Sequence, residues 1–137
     1  MQITTSYQGN KRFHSGDGAA SVTMDAAAAS GGRGEAPTPK AMVLHGLAGC
    51  TGLDVATILE KKKVTWDRFD IDVAAEQTST HPMVFKTIHI TYRFVADEAD
   101  RPHIERAIEL SKNQFCGVSA MLAKSAQITH TLEIVPR

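Results

Sequence analysis

From Thr38-Pro39 to Lys61-Lys62-Lys63 the chain runs with no helix breaker other than glycine, and this stretch constrains the fold more than any other. Thr38 and Pro39 supply an N-cap and a first helical position, and the lysines suit the negative end of a helix dipole. Met42, Val43, Leu44, Leu47, Ala48, Leu53, Val55, Ile58 and Leu59 point in nearly all directions around a 3.6-residue period. That distribution predicts a central helix buried on most of its circumference. Gly46, Gly49 and Gly52 would each cost roughly 1 kcal/mol relative to alanine in a helix interior. Their clustering around Cys50 therefore predicts close packing or a cavity there.

Such a helix needs other elements to cover it. Gly9-Asn10 and Ser15-Gly16-Asp17-Gly18 punctuate the N-terminus into two or three short strands, the last being Ser21 to Met24. Residues 25–37 have neither period nor bulk and read as a mobile loop. After the helix, Phe69, Ile71, Val73 and Ala75 alternate with polar residues, as do Ile88, Ile90, Tyr92 and Phe94, and the loop Ser79-Thr80-His81-Pro82 makes these two strands a hairpin. Pro102 starts a helix carrying Ile104, Ala107, Ile108 and Leu110, which ends near Phe115. A second short helix begins at Cys116, and a last strand turns Ile128, His130, Leu132 and Ile134 inward. Strands and helices are segregated, so the expected class is α+β with a largely antiparallel sheet. A length of 137 residues fits one domain, 1–137, and the apolar surface of the central helix exceeds what one open sheet covers, which predicts a dimer.

Charge narrows the function. Fifteen basic and fifteen acidic side chains cancel, so neither nucleic acid nor an anionic membrane surface is favoured as a partner. The N-terminus Met1-Gln2-Ile3-Thr4-Thr5-Ser6 has no export pattern, and no segment approaches 18 consecutive apolar residues. A cytoplasmic protein is expected, and there two cysteines are free, catalytic or redox-sensing more often than stapled.

Cys50 and Cys116 are accordingly either buried filler or a working redox pair. Cys50 lies in mid-helix with Gly46 at i−4 and Asp54 at i+4 on its own face, so a small hole with a carboxylate at its edge is expected. A mid-helix thiol gains little from the helix dipole, and its activation requires a neighbouring cation. Cys116, at a helix start, faces unpaired backbone N–H groups that favour thiolate over thiol, with Ser119 as a competing cap. The six histidines form no i,i+3 or i,i+4 pair, so neither metal nor other cofactor is expected, and His130 reads as a core histidine. Ser30-Gly31-Gly32-Arg33-Gly34 lacks the order of a phosphate loop.

Taken together, the helix Pro39-Lys-Ala-Met-Val-Leu-His-Gly-Leu-Ala-Gly-Cys50, the strand pair, and Cys116-Gly-Val-Ser119 followed by Ile128-Thr129-His130 resemble the OsmC superfamily, the osmotically inducible and organic hydroperoxide resistance proteins. The likeness covers nearly the whole chain and is strongest to small OsmC-like proteins with the motif Gly-Cys-x-x-x-Asp-Val, here Gly49 to Val55. It implies an α+β fold made as an intertwined homodimer, its sheets wrapped around two central helices. It also implies that Cys50 is the peroxidatic and Cys116 the resolving thiol, reducing an organic hydroperoxide through a sulfenic acid and a disulfide that a dithiol restores. Family members surround the reactive thiolate with an arginine and a glutamate. Here Lys40 stands at the glutamate position, Arg12 is the nearest candidate for the arginine, and Arg33 is a second; Asp54 is the carboxylate nearest Cys50 in sequence. The alternative reading is a noncatalytic dimer that holds a small apolar ligand and uses its cysteines for packing. An arginine beside Cys50 would favour the enzyme, and an all-apolar wall the binder.

Overall fold

In the computed structural model, which describes residues 1–137, Thr38 Oγ1 accepts the backbone N–H of Ala41 at 3.2 Å, and helix α1 (Pro39–Lys61) starts there with proline in its first turn. Lys61 lies in its last turn, as the dipole favours. The chain forms two compact units, Met1–His45 and Gly46–Arg137, and α1 begins in the first.

The N-terminal unit is an antiparallel meander of β1 (Thr4–Tyr7), β2 (Arg12–Gly16) and β3 (Ser21–Asp25). Gly9, Asn10 and Lys11 all take positive φ to reverse the chain between β1 and β2. The segment read as a mobile loop carries a defined set of hydrogen bonds. A 3₁₀ turn spans Ala28–Ser30, Asp25 donates its N–H to the Pro37 carbonyl, and Lys11 Nζ donates to the Ser30 carbonyl. A Cβ on Gly32 would sit 2.0 Å from the Ala26 carbonyl oxygen, so only glycine fits this close approach.

The C-terminal unit holds β4 (Trp66–Gln77), β5 (Phe85–Ala96) and β6 (Gln127–Val135) in the order β4-β5-β6. β4 and β5 form the expected antiparallel hairpin, with Ile71 opposite Tyr92 and Val73 opposite Ile90. Three of the four strand pairings are antiparallel, as expected, and β6 is the exception, pairing with β5 in parallel. Residues 97–126 form a helical crossover between them, which is the kind of connection that parallel neighbours require. The crossover contains α2 (Arg101–Leu110), a π-helical turn (Ser111–Phe115) and α3 (Gly117–Leu122). Ile88, Ile90, Tyr92, Phe94 and Ala96 are buried along β5, and Ile104, Ala107 and Ile108 of α2 join the same core.

The central helix departs from the expected all-round burial. Leu47, Thr51, Val55 and Leu59 are its buried residues, a single i,i+4 stripe, and Leu53 is 72 % exposed. Its best 18-residue window has a mean hydropathy of 1.5, so by length and composition α1 could cross a bilayer, although it holds no run of 18 consecutive apolar residues. The packed stripe supports a core-helix role: Thr51 hydrogen-bonds Tyr92 of β5, and a Cβ on Gly52 would lie 3.0 Å from Ile71 Cδ1 of β4. Of the close packing or cavity predicted around the clustered glycines, Gly52 meets close packing, and Cβ atoms on Gly46 and Gly49 would meet open space.

Candidate functional site

Regular helix geometry sets Cys50 and Asp54 one turn apart on the same side of α1. The corner between α2 and α3 brings the third group. The π turn over Ser111–Phe115 accommodates an extra residue per turn, and it ends where the Cys116 N–H donates to the Ser111 carbonyl at 2.8 Å. Cys116 then leaves helical geometry, with φ −74° and ψ 98°, and becomes the N-cap of α3. As a result Cys50 Sγ, Cys116 Sγ and a carboxylate oxygen of Asp54 lie within 4.8 Å of one another. Both cysteines are free thiols, Cys50 half-buried and Cys116 only 3 % exposed.

Cys116 itself is the cap, its sulfur accepting the Ser119 N–H at 3.3 Å, and Ser119 does not fill that role. The low thiol pKa expected of this position is not found; it is pushed up from 9.0 to about 11. Burial of the sulfur is the largest cause, opposed by the Ser119 N–H and reinforced by a hydrogen bond that the Cys116 thiol donates to Cys50 and by the negative charge that Cys50 and Asp54 can carry. One N–H at the end of a helix as short as α3 does not offset that desolvation.

Asp54 is supported by a chain of three buried hydroxyl residues, of which periodicity placed only Tyr92 in the core. Ser111 Oγ donates to Asp54 Oδ2 at 3.0 Å, Ser111 and Thr51 share a hydrogen bond of 2.9 Å, and Thr51 and the Tyr92 hydroxyl share one of 2.7 Å. Ser111, Thr51 and Tyr92 are all at least 98 % buried, so the chain of hydroxyls runs through the interior to the carboxylate. Burial raises the Tyr92 pKa, partly opposed by the Thr51 bond, which keeps the phenol protonated. Neither Thr51 nor Ser111 carried a signal in the sequence.

On its open side the cluster borders a cleft of about 360 Å³ lined by Leu53, Asp54, Thr57, Ile58, Lys61 and Phe115. Arg12 lies in the N-terminal unit, where it pairs with Glu35 at 3.1 Å and with the buried Asp25 at 3.8 Å. Arg33 lines a polar cavity with Arg12 and Asp25 in the same unit. His130, read as a core histidine, is instead solvent-exposed on the edge strand β6, edge-on to Tyr92 with ring centroids 6.2 Å apart.

A family model described as OsmC-like protein matches residues 32–131, which span both cysteine motifs. The chain belongs to the OsmC-like family. Protein YhfA of Escherichia coli K12 is 31 % identical over 101 residues, 74 % of this chain and 75 % of YhfA. Among solved structures, a hypothetical protein from Aquifex aeolicus VF5 superposes with a TM-score of 0.85 at 23 % identity, over 99 % of this chain and 96 % of that one. A Legionella pneumophila organic hydroperoxide resistance protein OsmC superposes with a TM-score of 0.71 at 14 % identity, over 96 % and 95 %. The OsmC-like fold thus extends over essentially the whole chain.

Proposed function

We propose that this OsmC-like protein is a thiol-dependent peroxidase that reduces organic hydroperoxides. The observation that carries the reading is the meeting of two free thiols on separate elements within 4.8 Å, one half-buried and one buried. In the proposed cycle the Cys50 thiolate attacks the terminal oxygen of R–O–OH. The S–O bond forms, the O–O bond breaks, and the alkoxide takes a proton and leaves as the alcohol while sulfur is oxidised to sulfenic acid. Cys116 then attacks that sulfur, the S–S bond forms, and the sulfenic hydroxyl leaves as water with the Cys116 proton. An external dithiol returns two electrons by exchange.

The half-exposed Cys50 suits the attacking role and the buried Cys116 the resolving one. The bordering cleft offers Leu53, Ile58 and Phe115 to an apolar R group, beside the polar Asp54, Thr57 and Lys61. The same walls favour the second reading, a small apolar ligand bound without chemistry. Leu53, Phe115 and Met121 are 72, 58 and 65 % exposed, which supports a homodimer that covers them. Arg12 and Asp54 are the proposed supporting charges. The test is reduced protein with cumene or tert-butyl hydroperoxide and a dithiol donor. Turnover with loss of two hydrogens from the Cys50 and Cys116 peptides is expected; hydroperoxide consumption no faster than free thiol would leave the ligand-binding reading.

A further inference from the structure

The two thiols and the carboxylate have a use that does not depend on peroxide chemistry. We propose that in the reduced protein Cys50, Asp54 and Cys116 bind one thiophilic divalent cation of the zinc group, leaving a fourth coordination position open. Their donor atoms already lie within 4.8 Å of one another. A tetrahedral zinc with thiolate sulfur at ~2.3 Å and carboxylate oxygen at ~2.0 Å needs donors roughly 3.5–3.8 Å apart. Closing the site therefore needs donor movements of at most about 1.3 Å.

Donor chemistry selects the ion. Two sulfurs with one carboxylate favour zinc or cadmium over magnesium or calcium, which prefer all-oxygen cages. Two ligands are also oriented from outside. Ser111 Oγ holds Asp54 Oδ2 at 3.0 Å and the Ser119 N–H holds Cys116 Sγ at 3.3 Å, the kind of outer support that fixes metal ligands. The cleft that Asp54 lines gives the ion a way in. Binding displaces both thiol protons to solvent and moves no electrons. A Cys50–Cys116 disulfide offers no thiolate, so cation and disulfide exclude each other.

The test uses the full chain, reduced and freed of reductant. Cadmium chloride should produce a thiolate-to-cadmium charge-transfer absorption that saturates at one equivalent per chain, and zinc chloride should compete for the protein against a chromogenic chelator. Cys50→Ser and Cys116→Ser should each lose high-affinity zinc binding. Asp54→Asn should weaken it at least tenfold and Ser111→Ala by about tenfold, the scale of lost outer-shell support. Oxidation of wild-type protein to the disulfide should abolish binding with no substitution at all. Reduced wild type that fails to compete for micromolar zinc, or Asp54→Asn protein that melts normally and binds zinc as well as wild type, overturns the proposal. Hydroperoxide turnover in metal-free protein is scored separately, so either reading can fail while the other stands.

Discussion

The helical turn around Cys50 and the corner around Cys116 present the same side chain through opposite local designs. Cys50 sits half-buried within an unbroken helix, and Gly46, one turn earlier on the same face, opens on empty space. Cys116 sits where a π turn ends and a short helix begins; its N–H and its sulfur are both hydrogen-bonded, and it is almost fully buried. Burial raises the Cys116 thiol to about 11 despite its place at a helix start. The difference teaches that access, more than helix position, separates the sulfur proposed to attack from the one proposed to resolve, since a desolvated sulfur keeps its proton.

Exchanging the two cysteines for serine in turn strains that comparison hardest. Cys50→Ser should reduce hydroperoxide turnover to the free-thiol background, whereas Cys116→Ser should consume one stoichiometric equivalent of hydroperoxide and then recycle poorly. Single-turnover consumption measured on both variants checks this, and equal losses would erase the distinction between the two regions.

The hydroxyl chain joining the regions should show next in stability. Thr51→Val removes the group shared by Tyr92 and Ser111 and leaves two buried hydroxyls short of a partner, at a cost of about 1–3 kcal/mol. Urea unfolding of reduced protein measures it; a change below about 0.5 kcal/mol would mean that the chain contributes little.

A smaller, graded effect is expected with pH. Cys116 raised from 9.0 to about 11 in the folded protein binds its proton more tightly than in the unfolded chain. Its contribution to stability is therefore fully present below pH 9 and is lost as pH rises through 11. Alkylation of Cys116 in the Cys50→Ser variant should quicken about tenfold per pH unit between ~8 and ~10, following the thiolate fraction. A rate that levels off near neutral pH would place a thiolate where burial argues for a thiol.

The smallest effect should come from the open side of α1. Leu53, 72 % exposed, should cost no more than about 0.5 kcal/mol of chain stability when changed to alanine. If the exposed face is a dimer surface, the same variant should shift the monomer–dimer equilibrium in sedimentation, and this contrast separates packing within the chain from packing between chains.

Legibility in the sequence followed the range of the interaction. The α1 boundaries were readable because a cap, a proline and a lysine run act within one turn, and the β4–β5 hairpin because alternation over twelve residues per strand specifies which face is buried. Cys50 and Asp54 could be placed on one helix face for the same reason. Parallel pairing of β6 was not readable, since alternation gives a strand its buried face and leaves its direction to the connection. The one-sided burial of α1 was missed because an apolar ring around a helix says that something covers it, without saying whether that is the same chain.

Sequence by itself determined the elements, the helix face that carries Cys50 and Asp54, and membership of the OsmC-like family through motifs at both cysteines. Tertiary structure alone decided that Cys116 reaches that face, because the π turn after α2 aims it there and no local pattern encodes the distance. It also decided the protonation bias of Cys116. A helix start favours thiolate only while water or several N–H groups solvate the sulfur, and here the packed corner removes the water and leaves one N–H.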